Sequence, residues 1–131
     1  MLFRSTVRVG TGGAIETNDD PSAFDNVWLA RSSGTTAILY GVAWNGARVV
    51  AVGAGGVAIA SDDQGLTWYA VTSGVATDLY GIDTGDNVFI ACGALGVLLT
   101  SQNGVSWEPV DSGTFYDLWD VTVLKIGRAH V

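Results

Sequence analysis

The chain has 131 residues, with 13 Asp and Glu against 6 Lys and Arg and a formal net charge of −7. That balance excludes a surface built to meet phosphate, so neither nucleic acid nor an anionic membrane is expected as a partner. Eighteen glycines beside two prolines, with 48% hydrophobic residues, describe many tight turns between apolar strands, and the sequence holds no 18-residue apolar run for membrane insertion.

Met1-Leu2-Phe3-Arg4 does not lead into the apolar stretch of a signal peptide. Residues 1–38 read as an incomplete, degenerate repeat unit. Its anchors are Val9-Gly10-Thr11-Gly12-Gly13-Ala14-Ile15, Trp28 and Ser33-Gly34, with a long Pro21-containing stretch from Asn18 to Val27. Residues 39–78 form a full unit. Strand Leu39–Trp44 runs to a two-residue Asn45-Gly46 hairpin turn, followed by Val-rich Arg48–Gly53. Gly53-Ala54-Gly55-Gly56 turns into Val57–Ser61, and Asp62-Asp63-Gln64-Gly65 turns into Thr67–Thr72. Residues 79–117 repeat the unit as Leu79–Thr84, Val88–Cys92, Val97–Ser101 and Ser106–Val110, and residues 118–124 open another. Leu39 to Leu79 is 40 residues and Ser73 to Ser112 is 39. Four short strands at that period predict an all-β fold, a partial propeller of about three four-stranded antiparallel blades. Ile126-Gly127-Arg128-Ala129-His130-Val131 leaves the pattern and resembles a translated sequencing adapter. Residues 125–131 are therefore expected to be a non-native tail, and the chain a fragment.

Each full unit carries a turn motif: Ser61, Asp63, Gly65, Thr67 and Trp68 in one, and Ser101, Asn103, Gly104, Ser106 and Trp107 in the next. An Asp or Asn accepts N–H bonds inside its own turn, and glycine takes the left-handed backbone. The Trp covers the blade edge with a large apolar ring. The motif resembles the Asp-box, or BNR repeat, of sialidase-like propellers. The wording of residues 6–124 resembles the photosystem II assembly-factor propellers and their bacterial and phage relatives. The first resemblance implies that these ten residues are structural, and the second is specific for fold rather than role.

No enzyme chemistry is expected. The arginines Arg4, Arg8, Arg31 and Arg48 do not recur at one blade position as a sialidase triad would, and Glu16 and Glu108 are the only glutamates of the repeats. The glycine stretches lack the Lys-Ser/Thr of a phosphate loop. His130 is the only histidine, and Cys92 sits at the repeat position of a buried valine. Asp62 and Asp63 lack the EF-hand spacing, so neither metal nor cofactor is expected. An aromatic recurs at the start of every inner strand, Tyr40, Tyr80 and Trp119, and Asp78 and Asp117 precede two of them. These five are the candidate binding residues, for a protein or glycan ligand, with packing between blades as the competing role of the rings. The function expected is a non-catalytic binding or assembly scaffold, partnered by the remaining blades of a parent protein. The alternative is a fragment of a sialidase-like glycoside hydrolase or phage-tail glycan-binding protein.

Overall fold

A computed structural model describes residues 6–18, 28–85, 88–123 and 129–130. No α-helix occurs among them. A first sheet joins β1 (Thr6–Val9), β2 (Ile15–Asn18) and β3 (Leu29–Arg31) in sequence order. Two four-stranded sheets follow. One runs β4 (Leu39–Trp44), β5 (Val49–Gly53), β6 (Ala58–Ser61), β7 (Tyr69–Val71). The other runs β8 (Leu79–Gly85), β9 (Val88–Gly93), β10 (Leu98–Ser101), β11 (Glu108–Pro109). A pair, β12 (Thr122–Val123) with β13 (Ala129–His130), completes the described chain. Within each sheet, strands consecutive in sequence pair antiparallel.

The strands are stacked so that alternate side chains enter opposite interfaces, as a two-residue period demands. Val50 and Val52 of β5 join Ala58, Ala60, Leu79, Phe89, Ala91 and Leu99 between the second and third sheets. Ala51 and Ile59 face the other way, onto Ile15 and Leu39. All five residues of β5 are buried for this reason. Ile90, Cys92 and Leu98 meet Val121 beyond the third sheet. Burying a side chain such as Phe89 or Val50 contributes about 1.5–3 kcal/mol.

Several details differ from the sequence expectation. The glycine turns are single 3-10 turns, Thr11–Gly13, Ala54–Gly56 and Ala94–Gly96, rather than plain hairpin loops. Asn45-Gly46 widens into a turn through Arg48, because the Asn45 carboxamide oxygen accepts the N–H groups of Ala47 and Arg48. The outer strands are shorter than expected. Thr67 and Ser106 direct their N–H groups into the preceding turn instead of the ladder, and Pro109 has no N–H to give. Of the strand expected over 118–124, Thr122 and Val123 pair with β13 among the described residues, and the Leu118 N–H donates to Gly93 O. The Pro21 stretch and residues 124–128 and 131 of the tail lie outside the described residues. Ala129 and His130 stand opposite Val123 and Thr122.

Candidate functional site

The two ends of the blades are built differently. At one end lie the turn motifs. Ser61 Oγ donates to Asp63 Oδ1 at 2.8 Å and accepts the Gly65 N–H at 2.8 Å. Asp63 accepts both the N–H and the hydroxyl of Thr67, and the Trp68 indole N–H donates to Gly65 O at 2.8 Å. The Thr67 bonds, more than any other cause, hold the Asp63 carboxyl down to about 2. The third sheet repeats the network in neutral form. Ser101 bonds Asn103 and Gly104, Asn103 Oδ1 accepts from Val105 and Ser106, and Trp107 Nε1 donates to Gly104 O.

Each turn also presses on the sheet before it. Gly65 has φ +91°, and a β-carbon there would stand 3.0 Å from Thr17 Cγ2 and 3.1 Å from Val7 Cγ2. Gly104 has φ +78°, and its β-carbon would stand 2.8 Å from Val50 Cγ2. Beside it, Arg48 Nε donates to Asp62 at 2.6 Å, Tyr69 donates to the same carboxylate, and a second Arg48 nitrogen donates to Asn103 O. The Arg48 hydrogen bond lowers the Asp62 pKa. Sequence reasoning passed over this clamp, whose partners are 14 and 55 residues apart.

The other end carries the candidate binding residues. A β-bulge opens the inner strands β4 and β8. Leu39 pairs with Gly53 and Gly41 with Val52, which leaves Tyr40 as the extra residue; Leu79, Gly81 and Tyr80 repeat this. Bulges re-aim a side chain, and here they bring the rings into one ladder. Tyr40 and Tyr80 meet edge to face with centroids 5.2 Å apart, and Tyr80 and Trp119 stack at 4.2 Å and 24°. The rings thus pack across blades while remaining open: Tyr40 is 43% and Trp119 65% exposed. Asp78 and Asp117 are anchored by the 3-10 turns. Asp78 Oδ1 accepts the Gly55 N–H at 2.8 Å, and Asp117 Oδ1 accepts the Leu95 N–H at 2.9 Å. Asp78 Oδ2 also faces the Tyr80 hydroxyl at 3.4 Å. Desolvation, and then the charges of Asp78 and Asp117, raise the Tyr80 phenol.

Phe115 and Tyr116 stand almost bare in the connection leading to Asp117. They were not among the sequence candidates. The available signal was a departure from the repeat: these positions hold Ala76 and Thr77 one unit earlier. Cys92 is fully buried and its thiol is pushed up to about 11, chiefly by that burial. Among the described residues no group of three or more His, Cys, Asp or Glu could hold a metal ion.

No family model matches the chain, and no curated protein matches it in sequence. Among solved structures, one described as "YCF48 bound to D1 peptide" is similar, with a TM-score of 0.67 over 81% of this chain and 14% identity. The chain spans 36% of that structure's length. At this identity the likeness carries the architecture alone. Together with the stacked antiparallel sheets, it establishes the chain as an all-β, partial β-propeller of about three blades.

Proposed function

We propose that this chain is part of a non-catalytic binding or assembly scaffold that holds an extended peptide across its aromatic face. In this reading the repeated turns are Asp-boxes and serve only to lock the blades. The observation that carries it is the Tyr40–Tyr80–Trp119 ladder, half-buried at Tyr80 and exposed at Tyr40 and Trp119, flanked by two carboxylates whose backbone anchors fix their position. Large, rigid aromatic anchors are the side chains that dominate protein interfaces. The similar structure named for a bound peptide supports a peptide over a sugar.

Charge narrows the ligand further. The described arginines, Arg8, Arg31 and Arg48, are bonded to Glu16, Thr17 and Asp62, and none forms an ion pair with Asp78, Asp117 or Asp120. Asp78, Asp117 and Asp120 therefore present negative charge with no cation beside them among the described residues, which favours a peptide with Lys or Arg.

The test is selection from a random dodecapeptide library displayed on phage. Basic peptides should be enriched, and their affinity should fall about tenfold on Trp119→Ala. Asp78→Asn with Asp117→Asn keeps the acceptors for Gly55 and Leu95 but removes the charge, and should cost about five-fold. Selected peptides that bind the Trp119→Ala chain equally well would end this reading. Trp119-dependent binding on a neutral glycan panel, without peptide binding, would replace the peptide by a sugar.

A further inference from the structure

Two Asn-Gly pairs stand in this chain, Asn45-Gly46 and Asn103-Gly104, and the fold treats them oppositely. In both, backbone N–H groups grip the carboxamide oxygen. Asn45 Oδ1 accepts from Ala47 at 2.9 Å and from Arg48 at 2.7 Å. Asn103 Oδ1 accepts from Val105 and Ser106, each at 2.9 Å. In both, the glycine is left-handed, with φ +97° at Gly46 and +78° at Gly104. The difference lies at the glycine nitrogen. Gly46 is exposed, a β-carbon there would meet nothing within 4 Å, and its N–H has no hydrogen-bond acceptor among the described residues. The Gly104 N–H donates to Ser101 Oγ at 2.7 Å, and Gly104 is buried against Val50, Arg48 and Phe89.

We infer that Asn45 is a modification site, where the folded turn promotes its own deamidation, while the fold protects Asn103. The Gly46 amide nitrogen loses its proton to solvent base and attacks Asn45 Cγ. The new N–C bond closes a cyclic imide, and the side-chain nitrogen takes a proton from water and leaves as ammonia. Water then opens the ring at either carbonyl, which gives aspartate or isoaspartate at position 45. The balance is one water taken up and one ammonia released, with nothing oxidised or reduced.

Three features of the turn favour this course. The bond from Oδ1 to the Ala47 N–H folds the side chain back over the Asn45–Gly46 peptide, which holds Cγ near the nitrogen it must meet. The two N–H donors on Oδ1 sit where negative charge gathers in the tetrahedral intermediate, as in an oxyanion hole. Gly46 has no side chain to block the approach, and its N–H is open to base. Asn103 has the same two donors but lacks a free nucleophile. Releasing the Gly104 nitrogen would break its bond to Ser101 and lift the turn off Val50. The product at position 45 also reaches beyond its own turn. Isoaspartate routes the main chain through the former side chain, one carbon longer, and removes the acceptor that holds the Arg48 N–H. Arg48 is the residue that bonds Asp62 and the Asn103 carbonyl, so deamidation loosens the clamp between the second and third sheets.

The test ages the full chain in mildly alkaline buffer, folded and in urea. Cleavage after Arg31 and Arg48 leaves Asn45 as the only side-chain amide of its peptide, and fragmentation of the following peptide reports Asn103. Deamidation reads as a gain of about 1 Da. Asn45 should convert in the folded chain at least as fast as in urea, whereas folding should slow Asn103 by about tenfold or more. Ser101→Ala, which frees the Gly104 N–H, should speed conversion of Asn103 in the folded chain. The chain converted at position 45, separated by anion exchange, should melt about 2–4 °C lower than the parent. Folding that slows Asn45 as much as Asn103, or equal rates at the two sites in the folded chain, would overturn the inference. An unchanged midpoint would overturn its link to Arg48.

Discussion

The two ends of these blades follow opposite rules. At the turn end, nearly every polar group of the motif is spent on its own loop: Ser61, Asp63, Thr67 and Trp68 bond one another or Gly65. At the aromatic end, Tyr40, Phe115, Tyr116 and Trp119 stay exposed. The residues that recur at the turn end therefore build the scaffold. Where one connection into an inner strand departs from the one before it, with Phe115 for Ala76, Tyr116 for Thr77 and Trp119 for Tyr80, the exposed apolar surface grows, and it is this surface that the proposed binding role uses.

The largest test of this contrast uses glycines of the same backbone class. Gly104 and Gly113 have φ of +78° and +79°. A β-carbon at Gly104 meets Val50 Cγ2 at 2.8 Å and Phe89 Cε2 at 3.2 Å, whereas one at Gly113 meets nothing within 4 Å. Gly104→Ala should cost about 2–4 kcal/mol, from left-handed strain plus overpacking. Gly113→Ala should cost about 1 kcal/mol, from strain alone. Urea unfolding of both chains measures the gap, and equal costs would mean that the turn does not press on the preceding blade.

A smaller effect separates the two turns from each other. Asp63 is lowered from 3.8 to about 2 by its bonds to Thr67 and Ser61, while Asn103 does not titrate. A carboxyl held below its unfolded value stabilises the fold fully above about pH 4, and that contribution is lost as the pH falls toward 2. Asp63→Ala should destabilise by about 1–2 kcal/mol at pH 7 through lost turn bonds. Asp63→Asn should retain most of the structure, since the third blade already uses Asn, but should flatten the acid limb between pH 4 and 2. Thermal midpoints across that range give the answer, and an unchanged slope would show that the Thr67 bonds do not depend on the charge.

Much of this was legible in the residues. The period places each Gly, Ser and Trp of a unit, and local chemistry dictates the turn each makes, so the sheets and both hydrogen-bonded turns follow from sequence spacing. What stayed hidden depends on neighbouring blades. The bulges at Tyr40 and Tyr80 arise from pairing offsets that hydrophobic alternation does not encode. The anchoring of Asp78 by Gly55 spans 23 residues, and the Arg48 contact with Asn103 spans 55. Asp78 and Asp117 were readable as acids beside aromatics, but not as acceptors whose second role is to fix the loops beneath them.

The smallest expected effect lies where the two rules collide. Leu95 is the middle residue of the third 3-10 turn, with φ +59°, where Gly12 and Gly55 stand in the other two units. A leucine there pays about 1 kcal/mol relative to glycine, and its side chain does not recover this through packing, being 62% exposed. Leu95→Gly should therefore raise stability by about 0.5–1 kcal/mol, or a few degrees in Tm, less the entropy glycine adds to the unfolded chain. Leu95 lies beside Asp117, to which its own N–H donates, and near Phe115 in the same apolar hollow. If the third unit retains it as part of the aromatic face, the stabilised Leu95→Gly chain should bind the selected peptides more weakly, by about two- to three-fold. Gain in Tm with undiminished affinity would make Leu95 a tolerated strain and shrink the binding face to the ladder and its two carboxylates.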